Sequence, residues 1–208
     1  MAPQTTPLRR RPVQQRSAAR VERMLAACAS LIEEVGYDGV TTTLIAERAD
    51  VAVGSLYQFF PDKRAVVQAL TMRNLDSYMD LIGERLARVP LNDWWDAVDV
   101  VFDGYVEMFR EVAGFAQIRF GDVVDLRLID NQRDNTTVIV ERLVSVLTQR
   151  FDLRVDLRLP VTVALEIADG ILDLAFRRKL FPEDVVIGEA KKAVRGYLSG
   201  HLDADRRD

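Results

Sequence analysis

The sequence predicts an all-α fold, on three observations. Apolar residues hold a 3.6-residue period from about Gln15 to Val35, two short helix-sized segments joined by a tight turn occupy Thr41 to Phe60, and helical patterns succeed one another from Asp62 to Leu198. The predicted architecture is an N-terminal three-helix helix-turn-helix domain followed by a larger C-terminal helical domain. Its expected divisions are a basic flexible arm over 1–14, the helix-turn-helix over 15–62 and the second domain over 63–208. A chain of 208 residues that is 49% hydrophobic and 29% charged is long and apolar enough for a real core.

The arm is the most basic part of an acidic chain. Net charge is -4, yet the first twenty residues hold Arg9, Arg10, Arg11, Arg16 and Arg20 and no acid. Localised positive charge of this kind suits phosphate contact, because each neutralised phosphate releases counterions. The first helix follows, its stripe made by Val21, Met24, Leu25, Cys28, Leu31, Ile32 and Val35, with Gly36 placed to stop it in a left-handed conformation. Thr41 is positioned to cap a second, short helix through Ala49 that turns Leu44, Ile45 and Ala49 inward.

After the link Asp50, Val51 and Ala52, the third helix starts near Val53 within VAVGSLYQFFPDK. Its apolar Leu56, Phe59 and Phe60 do not form the whole of one stripe: Ser55, Tyr57 and Gln58 interrupt them, and Gly54 weakens the first turn. Core packing alone does not explain that mixture. The inward residues anchor the helix, Val53, Ser55, Tyr57 and Gln58 are left to a partner, and Pro61 ends it.

From Arg16 to about Leu70 the chain resembles the DNA-binding domain of the tetracycline-repressor-like (TetR) transcriptional regulators. Several spaced features carry this: Gly36-Tyr37-Asp38, Thr41 before Ile45-Ala46-Glu47, Val51, Gly54-Ser55-Leu56-Tyr57, and Phe59-Phe60-Pro61 followed by Lys63. The resemblance implies that the third helix enters the major groove of a double-stranded DNA operator, with Val53 on thymine methyls and Gln58 on an adenine edge. It implies phosphate contacts from Thr41, Thr43, Tyr57 and Lys63, a positioning role for Ser55, close backbone approach at Gly54, and arm contacts from Arg9, Arg10 and Arg11. Two positions depart from the family pattern. Asp50 stands where glycine is common, and Ala52 and Val53 offer few polar reading groups.

In the second domain, Asp62 opens a helix to about Arg88, Pro90 and Asn92 break it, and Trp94 to Val112 forms the next. That helix carries Trp95, Val98, Phe102, Tyr105 and Phe109 on one face and an acidic stripe, Asp96, Asp99, Asp103 and Glu107, on the other; the stripe reads as a solvated face. Gly114 and Gly121 bracket a short apolar piece, and a further helix is expected from about Asp130 to Phe151. The segment from Pro160 to Leu180 is apolar around most of its circumference and is followed by Val185, Val186, Ile187, Ala190, Val194, Tyr197 and Leu198. Two such helices pairing with their symmetry copies would bury both, which agrees with the four-helix homodimer the resemblance implies.

The resemblance also implies ligand binding in this domain. Tyr78, Trp95, Phe102, Tyr105, Met108, Phe109 and Phe120 would surround one cavity, joined by Met79 and Ile118, with Arg119 or Asp125 to orient a polar end. A small apolar or amphipathic effector would release the operator.

Other classes find little support. The single histidine, His201, lies near an end rich in Asp and Arg, and no phosphate loop, nucleophile elbow or HExxH pattern occurs, so no catalytic residue is expected. One cysteine excludes a disulfide framework and a multi-cysteine metal site; no cofactor or metal is expected. No apolar run reaches the roughly 18 residues of a membrane span and no signal peptide is evident, so the expected location is the cytoplasm. The expected function is a ligand-responsive repressor. A helical ligand-binding dimer with weak or lost DNA binding is the alternative, as is an activator of the same family.

Overall fold

The computed structural model describes residues 15–118, 135–151 and 156–202. Among these are eight helices and no strand: α1 (Gln15–Gly39), α2 (Thr42–Arg48), α3 (Val53–Phe59), α4 (Lys63–Arg88), α5 (Trp94–Glu111), α6 (Asn135–Phe151), α7 (Arg158–Phe176) and α8 (Glu183–Leu202). They form two compact units. The described residues up to Asp76, with the segment from Val112, make the first; Ser77–Glu111 and the described residues from Asn135 make the second. The expected starts at 130 and the expected arm lie outside the described residues.

In the first unit α1 buries Val21, Met24, Leu25, Cys28, Leu31 and Ile32 as its spacing predicts. Burial pushes the Cys28 thiol up to about 12, which makes it an inert core residue. Val35, expected on the same stripe, is exposed because the helix breaks beside it. Gly36 adopts φ 70° and ψ 167°, a region essentially reserved for glycine, and a last turn runs on to Gly39.

Thr41 caps α2, its Oγ1 accepting the Leu44 N–H at 3.2 Å. Ile45, Ala46 and Ala49 face the core, whereas Leu44, expected there, is 38% exposed. One residue is about 100° of helix, so a seven-residue helix that buries Ile45 and Ala49 turns Leu44 away. The exit from α2 is a Schellman turn: Val51 N–H donates to Ala46 O at 3.0 Å and Asp50 N–H to Glu47 O at 3.1 Å. Asp50 occupies the left-handed position, φ 52°, where glycine is usual.

α3 is anchored by Leu56 and Phe59, and Phe60 leaves it in extended conformation. Asp62 Oδ1 then accepts the Ala65 N–H at 2.9 Å and starts α4. Two seven-residue helices bury too little apolar surface to close a core on α1 alone. Ala65, Val66, Val67 and Leu70 of α4 therefore belong to the same buried cluster, beyond the expected boundary at 62, and so does Ile118, which was expected at the ligand cavity. The turn that brings Ile118 back depends on Gly114, whose φ is 73° and whose missing Cβ would lie 2.7 Å from the Ala29 carbonyl oxygen.

In the second unit α5 presents one continuous buried face, Trp94, Ala97, Val98, Val101, Phe102, Tyr105, Met108 and Phe109. Gly104 lets α4 approach closely, since a Cβ there would stand 3.0 Å from Ile82 Cγ2. The acidic stripe of α5, expected to be solvated, is instead engaged within the chain. Lys191 of α8 bridges Asp99 at 2.7 Å and Asp103 at 2.6 Å, Arg85 pairs with Glu107, and Asp96 Oδ2 accepts the Asn92 N–H at 2.7 Å to cap its own helix. α7 ends at Phe176, earlier than the expected Leu180, because Lys179 turns left-handed and the Leu180 N–H closes onto Leu174 O at 2.8 Å. α7 and α8 lie against each other. Gly170 on α7 and Gly188, Gly196 and Gly200 on α8 all have open space where a side chain would be.

Candidate nucleic-acid interface and apolar cavity

The helix-turn-helix divides α3 into an anchored side and an open side. Leu56 and Phe59 are buried, while Tyr57 is 43% exposed, Gln58 and Gly54 are exposed and Ser55 is half-buried. Val53 is less available than the sequence suggested: it is half-buried and packs against the core cluster. The Tyr57 hydroxyl shares a hydrogen bond with Thr42 Oγ1 at 3.0 Å, which joins the first turn of α2 to α3. Arg20 of α1 donates to Ser55 Oγ at 3.3 Å.

Of the expected phosphate contacts, Thr41 and Thr43 are exposed at the start of α2, with the Thr41 hydroxyl committed to its cap. Lys63 is half-buried and already engaged. Its Nζ donates to Tyr37 O at 3.0 Å and stands 4.5 Å above the centre of the Tyr37 ring, so it ties the end of α1 to the start of α4. An ammonium has three donors, so the bond to Tyr37 O does not use them all. Arg48 braces the back of the unit by a bidentate pair with Glu34, at 2.6 and 2.8 Å, which draws the exposed Glu34 carboxyl below its ordinary range. Arg9, Arg10 and Arg11 lie outside the described residues.

Sequence reasoning missed two partners in this surface, Thr42 and the Arg20 guanidinium. Their signals were weak. Thr42 meets a tyrosine fifteen positions away, which no local pattern reports. Arg20 stands one turn before Met24 on the buried stripe of α1, where an arginine marks the place at which the core ends.

The second unit holds a small, partly open apolar cavity lined by Tyr78, Val98, Val101, Phe102 and Tyr105 together with Leu143, Ala164, Leu165, Ala168, Val194 and Leu198. Its tyrosine hydroxyls are occupied: Tyr78 donates to Val101 O at 2.8 Å, and Tyr105 to Asp169 Oδ1 at 2.8 Å. Full burial pushes the Tyr78 phenol far above its ordinary value, so it stays neutral.

Tyr78, Phe102 and Tyr105 are thus where the sequence put them, but other expected lining residues are elsewhere. Trp95, expected at the cavity, is half-buried beneath the Arg195 guanidinium, 5.2 Å from its ring centre, while its neighbour Trp94 is 3% exposed. The buried positions 94, 98, 101 and 105 share a face of α5, and Trp95 is rotated off it. Met108 and Phe109 are buried without lining the cavity; Phe109 stacks on Phe176 with ring centres 4.8 Å apart. Met79 is half-buried and also absent from the lining. Arg119, Phe120 and Asp125 lie outside the described residues.

Comparison with known proteins agrees with both units. The family profile described as "Bacterial regulatory proteins, tetR family" matches residues 24–70, and that described as "Tetracyclin repressor-like, C-terminal domain" matches residues 92–202. A TetR-family transcriptional regulator of Streptomyces coelicolor is similar in structure with a TM-score of 0.73 and 39% identity, covering 90% of this chain and 99% of that one. The fatty acid degradation regulator FadR of Bacillus halodurans shares the fold at a TM-score of 0.65 and 15% identity, over 84% of this chain and 94% of that one. The HTH-type transcriptional repressor KstR of Rhodococcus jostii is 50% identical over 44 residues, 21% of each chain, so the likeness spans about a fifth of that repressor's length. No helix among the described residues is long and apolar enough to cross a membrane. With a matching N-terminal profile, and a C-terminal profile that covers more than half of its residues, this chain belongs to the TetR family of transcriptional regulators, DNA-binding proteins rather than enzymes.

Proposed function

We propose that the chain is a homodimeric repressor that reads a pseudo-palindromic operator with α3 and leaves it when a small apolar or amphipathic effector fills the cavity of the second unit. The observation that carries the reading is α3 itself. Leu56 and Phe59 fix it in the core while Tyr57 and Gln58 are exposed and Ser55 is half-buried beside them, on a helix with no charged residue. That arrangement suits base and backbone contact better than it suits packing. Gln58 reads an adenine edge, Tyr57 and Thr43 meet phosphates, and Lys63 adds charge at the edge of the site.

Dimer formation is supported by α7 and α8. Leu159 is 71% exposed and Val185 54%, while Val163, Ile167, Ile171 and Leu174 remain half-buried. A second copy would cover them. The effector class is supported by the cavity, whose walls are apolar and whose two tyrosine hydroxyls are already bonded. Release requires the effector to prefer a dimer whose recognition helices are wrongly spaced, because equal affinity for both states shifts nothing.

The test is to sequence genomic fragments retained by the purified protein and footprint the tightest of them. A pseudo-palindrome with half-sites on one face of the duplex is expected. Retention of no fragment at low salt leaves the alternative, a helical ligand-binding dimer, in its place.

A further inference from the structure

We propose that Arg20 is a phosphate-binding residue of the operator interface, holding Ser55 with one N–H group and a backbone phosphate with others. The inference rests on the reading of α3 as the recognition helix. It adds a residue outside that helix and outside the N-terminal arm.

Arg20 continues the spacing of Met24, Cys28 and Ile32, all fully buried, one turn toward the start of α1. An apolar residue there would have nothing left to cover. Arg20 is half-buried, and its guanidinium reaches α3, where it donates to Ser55 Oγ at 3.3 Å. A guanidinium has five N–H donors in a fixed plane, so this bond leaves most of them free.

Charge supplies the second argument. Arg48 and Arg73 of the same unit each meet a carboxylate, Glu34 at 2.6 Å and Glu22 at 3.3 Å. Arg20 meets none among the described residues, although it is held at a defined place by a neutral hydroxyl. The recognition helix, VGSLYQF, carries no charge of its own. Duplex DNA is bound largely through neutralised phosphates, and planar, forked arginine suits a phosphate better than any other side chain. A hydrogen bond joins the Arg20 guanidinium to α3, so it brings to the reading helix a positive charge that the helix's own sequence lacks.

The experiment compares the wild-type chain with Arg20→Ala, Arg20→Gln, Arg20→Lys and Ser55→Ala on the footprinted fragment across a salt series. Arg20→Ala and Arg20→Gln should each lower affinity about tenfold and reduce the slope of log affinity against log salt by about 1, on specific and unrelated sequences alike. Arg20→Lys should keep the slope. Ser55→Ala should weaken binding by no more than about threefold and also keep the slope, because it removes an orienting bond and no charge. Arg20→Gln retains most of the stem, so a loss shared with Arg20→Ala comes from charge and not from packing. Wild-type affinity and slope in both neutral variants would overturn the proposal while leaving α3 as the reading helix. A loss with unchanged slope, matched by Ser55→Ala, would also overturn it, reducing Arg20 to a support for Ser55. A wild-type chain with no salt-dependent affinity for any fragment would overturn the recognition-helix reading, and this proposal with it.

Discussion

Tyr57 and Thr42 are joined hydroxyl to hydroxyl at 3.0 Å, across the turn that separates α2 from α3. Each could otherwise rotate freely at the surface, and each would pay side-chain entropy on meeting a phosphate. The bond settles that cost before DNA arrives. Tyr57→Phe and Thr42→Ala should each weaken operator binding by about 0.5 to 1.5 kcal/mol. Because they remove the same bond, the double variant should lose less than the sum, and a double-mutant cycle by equilibrium binding measures the difference.

Reading and anchoring should separate at Gln58 and Lys63. Gln58→Ala should change the preferred base in each half-site by about 1 to 3 kcal/mol, with thermal stability unchanged because the side chain is exposed. Lys63→Ala should weaken all sites alike. It should also lower thermal stability by about 1 kcal/mol, since the bond to Tyr37 O and the stacking over the Tyr37 ring are both lost. Binding-site selection and melting curves on the two variants test both halves.

Asp50 carries a strain that glycine would relieve. At φ 52° in a Schellman turn, Asp50→Gly should stabilise the folded chain by about 1 kcal/mol in denaturant titrations. Removing a carboxylate from the turn should also tighten binding to every DNA sequence, most clearly at low salt.

Lys191 joins α5 to α8 by bridging Asp99 and Asp103. Burial pulls its pKa down, but the hydrogen bonds to Asp103 and Asp99 outweigh this and the net shift is upward from 10.5. The stability it contributes is therefore complete below the unfolded lysine value and is lost as pH rises through the higher folded one. Lys191→Met should cost about 1 kcal/mol or less at pH 8, because the pair is screened by solvent. Melting temperatures of wild type and variant should converge as pH rises past that folded value.

The effector should be blocked by filling its cavity from α7. Ala164→Leu should abolish effector-induced release while leaving operator affinity within about threefold of wild type, measured with apolar compounds that lower wild-type affinity tenfold, a coupling of roughly 1.4 kcal/mol. Tryptophan fluorescence is a poor reporter here, because neither Trp94 nor Trp95 lines the cavity.

Much of this architecture was legible in the chain because helix period, caps and breakers are local signals. Thr41, Pro61 and Asp62 marked their boundaries correctly, whereas Gly36 marked a break within α1 and not its end. The misses concern rotation and partners. Val35 and Leu44 are apolar and near a stripe, but a kink and a short helix turned them outward. Trp94 and Trp95 differ by one residue, hence by about 100°, and apolarity alone does not order them. The α5 acids met a lysine some ninety positions on, and Ile118 returned to the first core through a glycine turn; both are long-range facts.

The four glycines that face open space on α7 and α8 make the single chain a template for finding its own missing neighbour. In an isolated helix, alanine at Gly170, Gly188, Gly196 or Gly200 has nothing to strike and should raise stability by up to about 1 kcal/mol each. Where a second backbone approaches in the assembled molecule, the same methyl group becomes an obstruction. An alanine scan therefore sorts these positions by sign: those that gain lie under water, and those that lose, with sedimentation shifting toward the monomer, outline the footprint of the other copy without a structure of the complex.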